Sequence, residues 1–237
     1  MSESPPELVE TSTRKGHESE LLHKQATIDF KFEVVRKAIH LLSLSIPGVY
    51  YFITKQLALT ILIPIALAFL IVDLARYYHP PTREWFYRWF GWLLREHESD
   101  EVAKRLTGAT NILLSGILCI LIFPKIIIVN AFAVLILSDI TSALVGRRFG
   151  RRRFFYKSLE GAFGFFIAAV VVVLIAPKVE GLALEYLIGI VAAAVGAIAE
   201  SLSVKIDDNI TVPLSIGFVM WALYAILLPG VNLYKIV

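Results

Sequence analysis

Asp139, Glu200, Glu160, Asp73 and His40 stand out first, because each falls within a long apolar run. An ionisable side chain in such a run is costly to bury and is a functional candidate by default. More charge gathers nearby. The stretch "RRFGRRRFFYKSLEG", Arg147 to Gly161, carries Arg147, Arg148, Arg151, Arg152, Arg153 and Lys157. "KIDDN", Lys205 to Asn209, sets two adjacent acids between two apolar runs. The acids Asp139, Glu160, Glu200, Asp207 and Asp208, beside the bases Arg36, Lys37, Arg147, Arg148 and Lys157, suit one kind of ligand. Carboxylate oxygens hold Mg2+, while Arg and Lys hold the phosphates that it neutralises. That pairing is the chemistry of phosphoryl transfer from a nucleotide.

The elements that must position these groups are membrane helices. The 237 residues are 57% hydrophobic and only 18% charged, with mean hydropathy +0.70. This composition is that of an integral membrane protein of the all-α class. About 20 apolar residues span a bilayer as a helix. Seven segments qualify: 37–54, 57–76, 107–123, 126–146, 159–176, 182–204 and 210–228. Pro47 and Pro64 fall inside the first two, where a kink is tolerable. The expected architecture is a polytopic helical bundle with a single transmembrane catalytic domain over 31–237. A mobile cytoplasmic tail over 1–30 precedes it.

Between the second and third segments, Trp85, Phe86, Trp89, Phe90, Trp92 and Leu93 recur at helical spacing with charges on either side. This predicts an amphipathic helix in the membrane interface, with its rings at headgroup depth. A soluble partner-binding helix is the competing reading. Lys and Arg set the orientation. With the 147–158 loop inside, every Lys and Arg of the 23 except Lys55, Lys125, Lys178 and Lys235 lies on the same side. The positive-inside rule then puts the N-terminus and the polar layer in the cytoplasm.

Plainer roles compete for several of these residues. Asp73 before Arg76 reads as a helix-end ion pair. His40 serves equally well as an interhelical hydrogen-bonding group. Arg151 to Arg153 suit a topology signal touching headgroups. Asp207-Asp208-Asn209 suits a turn with Asn as the helix N-cap. Cys119, the one cysteine, reads as a small buried hydrophobe, so no intrachain disulfide is possible. The phosphate loop GxxxxGK[ST], GxGxxG, HExxH and GxSxG are all missing from the chain.

Four ordered motifs resemble the membrane lipid-alcohol kinases that use CTP (dolichol kinase, phytol kinase and CTP-dependent diacylglycerol kinase), a group distantly similar to phosphatidate cytidylyltransferases. They are "RKAIH" at Arg36, "LTGATNILLSG" at Leu106, "LSDITSALVGRRFGRRRFFYKSLEG" at Leu137 and "AESLSVKIDDNITVPL" at Ala199. The resemblance implies transfer of the CTP γ-phosphate to a membrane lipid hydroxyl, with Mg2+ or another divalent cation. It implies nucleotide contacts from Arg147, Arg148, Lys157, Ser158, Glu160 and Gly161, to which Arg36 and Lys37 are added. Asp139, Asp207 and Asp208 are implied as metal ligands or as groups that orient the acceptor hydroxyl, and Glu160 is added to the metal set. Asp139 is the first choice of general base and Glu200 the second, with Lys157 also catalytic. His40 and Asn111 are assigned to the acceptor lipid. The expected partners are the bilayer, a lipid alcohol and a nucleoside triphosphate, with no nucleic acid and a homodimer left open. A CDP-lipid-forming cytidylyltransferase and an anionic-solute transporter are the alternatives.

Overall fold

A computed structural model describes residues 35–94, 104–203 and 206–235. The expected tail over 1–30, the charged stretch 95–103 and Lys205 lie outside the described residues. The chain divides into two compact units, Met1–Ile39 and His40–Val237. Arg36 and Lys37 fall in the first unit, within a helical stretch over 35–42.

The second unit is built of helices in chain order: α1 Ser45–Phe52, α2 Lys55–Tyr78, α3 Pro80–Phe90, α4 Gly108–Ile122, α5 Lys125–Phe149, α6 Leu159–Ile175, α7 Ala183–Leu202 and α8 Asp208–Leu227. A single 3-10 turn, Gly91–Leu93, follows α3. The described strands are the two-residue pair β1 Arg153–Phe154 and β2 Lys157–Ser158, which form an antiparallel hairpin. The all-α class holds, with this hairpin as its irregular insert. α2, α5, α7 and α8 are long and apolar enough to cross a membrane, whereas α4 and α6 are apolar but have only 15 and 17 residues.

The first expected span is not one helix. It stops at residue 42, turns at Ser43 and Leu44, and restarts as α1. Pro47 supplies the reason. Its missing N–H would have bonded the Ser43 carbonyl, and its ring would crowd that carbonyl. The backbone instead closes tight turns, Ser43 N–H to the His40 carbonyl and Leu44 N–H to the Leu41 carbonyl. In the restarted helix Pro47 falls in the first turn, where no N–H is needed. Pro64, by contrast, sits inside an unbroken α2.

α5 is the central element. Of its apolar window 72% is buried, against 22% for α2, whose apolar side chains face outward. α5 lies against α6, α8 and α1, and α7 packs between α6 and α8. α5 and α6 come close together at two glycines. A Cβ on Gly161 would stand 2.9 Å from Ser158 Oγ, 3.1 Å from the Ser142 carbonyl and 3.3 Å from Gly146 Cα. A Cβ on Gly146 would meet the same hydroxyl at 2.9 Å. Small residues let membrane helices meet backbone to backbone. Here the contact fixes where the 150–158 loop leaves and re-enters the bundle.

Candidate functional site

Lys157 is delivered by the hairpin. Between β1 and β2 the chain reverses at Phe155 and Tyr156, with Phe155 in the left-handed region at φ 52°. The Tyr156 N–H donates to the Ser201 carbonyl at 3.3 Å, which ties the turn to the end of α7. The Lys157 ammonium then reaches two carboxylates from two different helices. It lies 2.6 Å from Glu200 Oε1 on α7 and 3.1 Å from Asp208 Oδ2 on α8. Ser142 Oγ of α5 also donates to Glu200 Oε1 at 2.9 Å, and Ser201 Oγ to Oε2 at 3.4 Å. Burial alone would push the Lys157 pKa down. The attraction of Asp208, Glu200 and Asp139 outweighs it and holds the ammonium above the ordinary lysine value.

Asp139, on α5 three residues before Ser142, is buried and has His40 Nε2 3.6 Å from its Oδ2. The structure thus brings Asp139, His40, Lys157, Glu200 and Asp208 into one polar cluster from segments far apart in sequence. Glu200 is 1% exposed, Asp139 7% and Asp208 8%. Buried charge of this kind persists only when paired and hydrogen-bonded.

Other expected site residues do different work. Glu160 turns back on its own loop and accepts from the Arg151 N–H at 3.0 Å and the Arg152 N–H at 3.3 Å. Ser158 is the N-cap of α6 and accepts from the Gly161 N–H at 3.1 Å. Asp207, not Asn209, caps α8, accepting from the Asn209 backbone at 2.9 Å and its side-chain amide at 2.7 Å. Arg147 and Arg148 are exposed in the last turn of α5, where positive charge suits a helix C-terminus. Asn111 is buried on α4, next to Thr110, which belongs to a separate cluster.

That separate cluster is the Asp73–Arg76 pair, and it is richer than a helix-end ion pair. Arg76 Nε stands 3.3 Å from Asp73 Oδ1. Asp73 Oδ2 accepts from the Thr107 N–H and hydroxyl, both at 2.9 Å, and from the Thr110 hydroxyl at 2.5 Å. A carboxylate at the N-terminus of α4 also suits that helix's dipole. Arg76 is fully buried and donates to the Arg105 carbonyl at 2.7 Å.

The donor set was expected to hold Mg2+. Among the described residues no group of three or more His, Cys, Asp or Glu side chains is placed to hold a metal ion. The ammonium of Lys157 already bridges Glu200 and Asp208, and Asp207 and Glu160 spend oxygens on backbone amides. As arranged, these residues do not fit a resident divalent ion.

Over 192 residues the chain is 30% identical to a protein of Rickettsia prowazekii (strain Madrid E) that carries the name "Uncharacterized protein RP860". The match covers 80% of this chain and 93% of that protein. The chain belongs to the RP860 family. No family model matches it, and no solved structure does.

One buried acid of this RP860-family chain escapes a reading of the sequence. Glu185 on α7 is fully buried. It accepts from the N–H groups of Val179 at 2.7 Å and of Glu180 and Leu182 at 3.0 Å, and from the Tyr224 hydroxyl at 2.9 Å. The available signal was its place three residues after Leu182, where Glu closes a helix start. Ser142 and Ser201 were also missed as partners of Glu200.

Proposed function

We propose that this chain is a membrane phosphotransferase that moves the γ-phosphate of a nucleoside triphosphate to the hydroxyl of a membrane lipid alcohol. CTP is the donor favoured by the motif resemblance, and a polyprenol, a phytol-type prenol or diacylglycerol is the acceptor class. The observation that carries the reading is the Lys157 ammonium held between Glu200 and Asp208, beside Asp139. Phosphoryl transfer needs chiefly positioning and charge neutralisation. A retractable cation beside buried carboxylates provides both.

In this reading the lipid oxygen attacks the γ-phosphorus and the bond to the bridging oxygen breaks. CDP leaves. The hydroxyl proton passes to a buried carboxylate, Asp139 first and Glu200 second. Lys157 turns from its carboxylates to the phosphoryl oxygens, with Arg147 and Arg148 facing the rest of the triphosphate. The divalent cation arrives as part of the nucleotide complex and is a substrate component. In this reading the basic residues around this end of the bundle place it in the cytoplasm by the positive-inside rule. At the opposite end Lys55, Lys125 and Lys178 are bound to backbone carbonyls, which favours a kinase over a transporter.

The test is to incubate the purified protein, in lipid nanodiscs with Mg2+, with γ-phosphate-labelled CTP and a panel of lipid alcohols. Label in a lipid, with CDP released, supports the kinase. Pyrophosphate release with a phosphorylated lipid instead identifies a cytidylyltransferase. No label with any alcohol overturns the proposal.

A further inference from the structure

The tryptophan helix is left unused by this chemistry. α3 begins one residue after α2 ends, with His79 between them and Pro80 and Pro81 opening its first turn. It commits one ring to the protein. Phe86 is 8% exposed and lies 5.1 Å from the guanidinium of the buried Arg76. That guanidinium is itself held by Asp73 and by the Arg105 carbonyl. Trp85, Trp89 and Trp92, at spacings i, i+4 and i+7, form a stripe on another face and are 51%, 62% and 43% exposed. The Trp92 indole N–H donates to the Trp89 carbonyl at 2.9 Å, so the stripe extends past the helix end.

We propose that α3 is a headgroup-docking shelf whose depth is fixed by the Arg76–Phe86 clamp. The occupant of the stripe is the lipid headgroup layer of the bilayer that α2 crosses. Continuity argues for this occupant, because the exposed apolar side of α2, with Ile71 and Leu74, leads directly into α3. Indole rings favour this layer, being apolar in body and polar at one edge. A cation–π contact away from solvent is stronger than an exposed one, and this one ties α3 to the end of α2. The proposal rests on the membrane reading and not on catalysis, so its readout is independent of any kinase assay.

The test uses Trp221→Phe, which leaves only the three indoles of the stripe, Trp85, Trp89 and Trp92, to report, in phosphatidylcholine nanodiscs. Lipids brominated near the top of the acyl chain should quench about twofold more than lipids brominated near its end. Aqueous iodide should quench weakly. Strong iodide quenching without quenching by brominated lipid would overturn the docking and leave a soluble partner as the occupant. Adding Phe86→Leu keeps an apolar side chain but removes the ring. It should flatten the depth preference and raise iodide quenching about twofold. An unchanged profile in that variant would overturn the clamp.

Discussion

Glu185 and Glu200 lie on the same helix, about 22 Å apart by helical rise, and neither touches solvent. They are held in opposite ways. Glu185 accepts from three backbone N–H groups and a tyrosine hydroxyl. Backbone donors cannot leave, so its oxygens are spent on shaping the 176–182 loop. Glu200 accepts from a lysine and two serines, all of them side chains. Such partners can be exchanged for a ligand without unfolding anything. The lysines at the two ends differ in the same sense. Burial pushes the Lys178 pKa down and Glu185 only partly opposes it, while the carboxylates around Lys157 overcome burial and hold it up. Lys178 meanwhile caps the Val173 and Ala176 carbonyls at 2.6 Å, and Lys125 and Lys55 reach the Ile53 and Leu121 carbonyls. One end of the bundle is closed by its own backbone. At the other, the cluster around Glu200 is closed by side chains that can let go.

The largest expected effect lies at the exchangeable end. Asp139→Asn preserves shape and should lower lipid phosphorylation about 100-fold to 10,000-fold, the usual range for a lost acid–base group, with little change in melting temperature. Wild-type turnover in that variant would remove the functional side of the contrast. Glu185→Leu should do the reverse. It strands buried donors at roughly 1–3 kcal/mol each, so thermal stability should fall by several kcal/mol. Protein that stays folded should keep its turnover per molecule, measured after size-exclusion chromatography.

Those two carboxylates also show what a reader of the sequence can and cannot see. Glu200 was visible as an acid deep in an apolar run. Glu185 was hidden because it stands one turn inside a helix start, where acids are ordinary. The helices over 126–146 and 210–228 were legible from apolar length alone. The break at Ser43 was not, because Pro47 sits four residues downstream and acts on a carbonyl rather than at its own position. Glu160 lies in the most suggestive motif of the chain, yet its carboxylate serves the backbone of its own loop, and nothing in residue type distinguishes the two uses.

A smaller effect separates the cation from its carboxylate. Lys157→Met should destabilise the protein by about 3 kcal/mol, because it leaves Glu200 buried beside Asp208 without a counter-ion. Adding Glu200→Gln should recover part of that loss. A double-mutant cycle in thermal denaturation should give a coupling of about 1 kcal/mol or more, and additive effects would contradict an ion pair.

The smallest effect is in pH. A raised lysine pKa contributes stability that is complete below the unfolded value, about 10.4, and vanishes as pH climbs through the higher folded value. The melting-temperature difference between wild type and Lys157→Met should therefore stay flat from about pH 6 to about pH 9. A difference that fades across neutral pH would mean that another group governs the pair.

The contact of Gly146 with Gly161 has a mechanical consequence. With Ser158 wedged against both glycines, the hairpin has a fixed shoulder, and Lys157 is an arm mounted on it. The stem is four flexible methylenes. In the proposed reaction the ammonium would swing between carboxylate and phosphate while the backbone stays still, and each turnover would cost rotamers rather than helix motion. Gly161→Ala would loosen the shoulder, not shorten the arm.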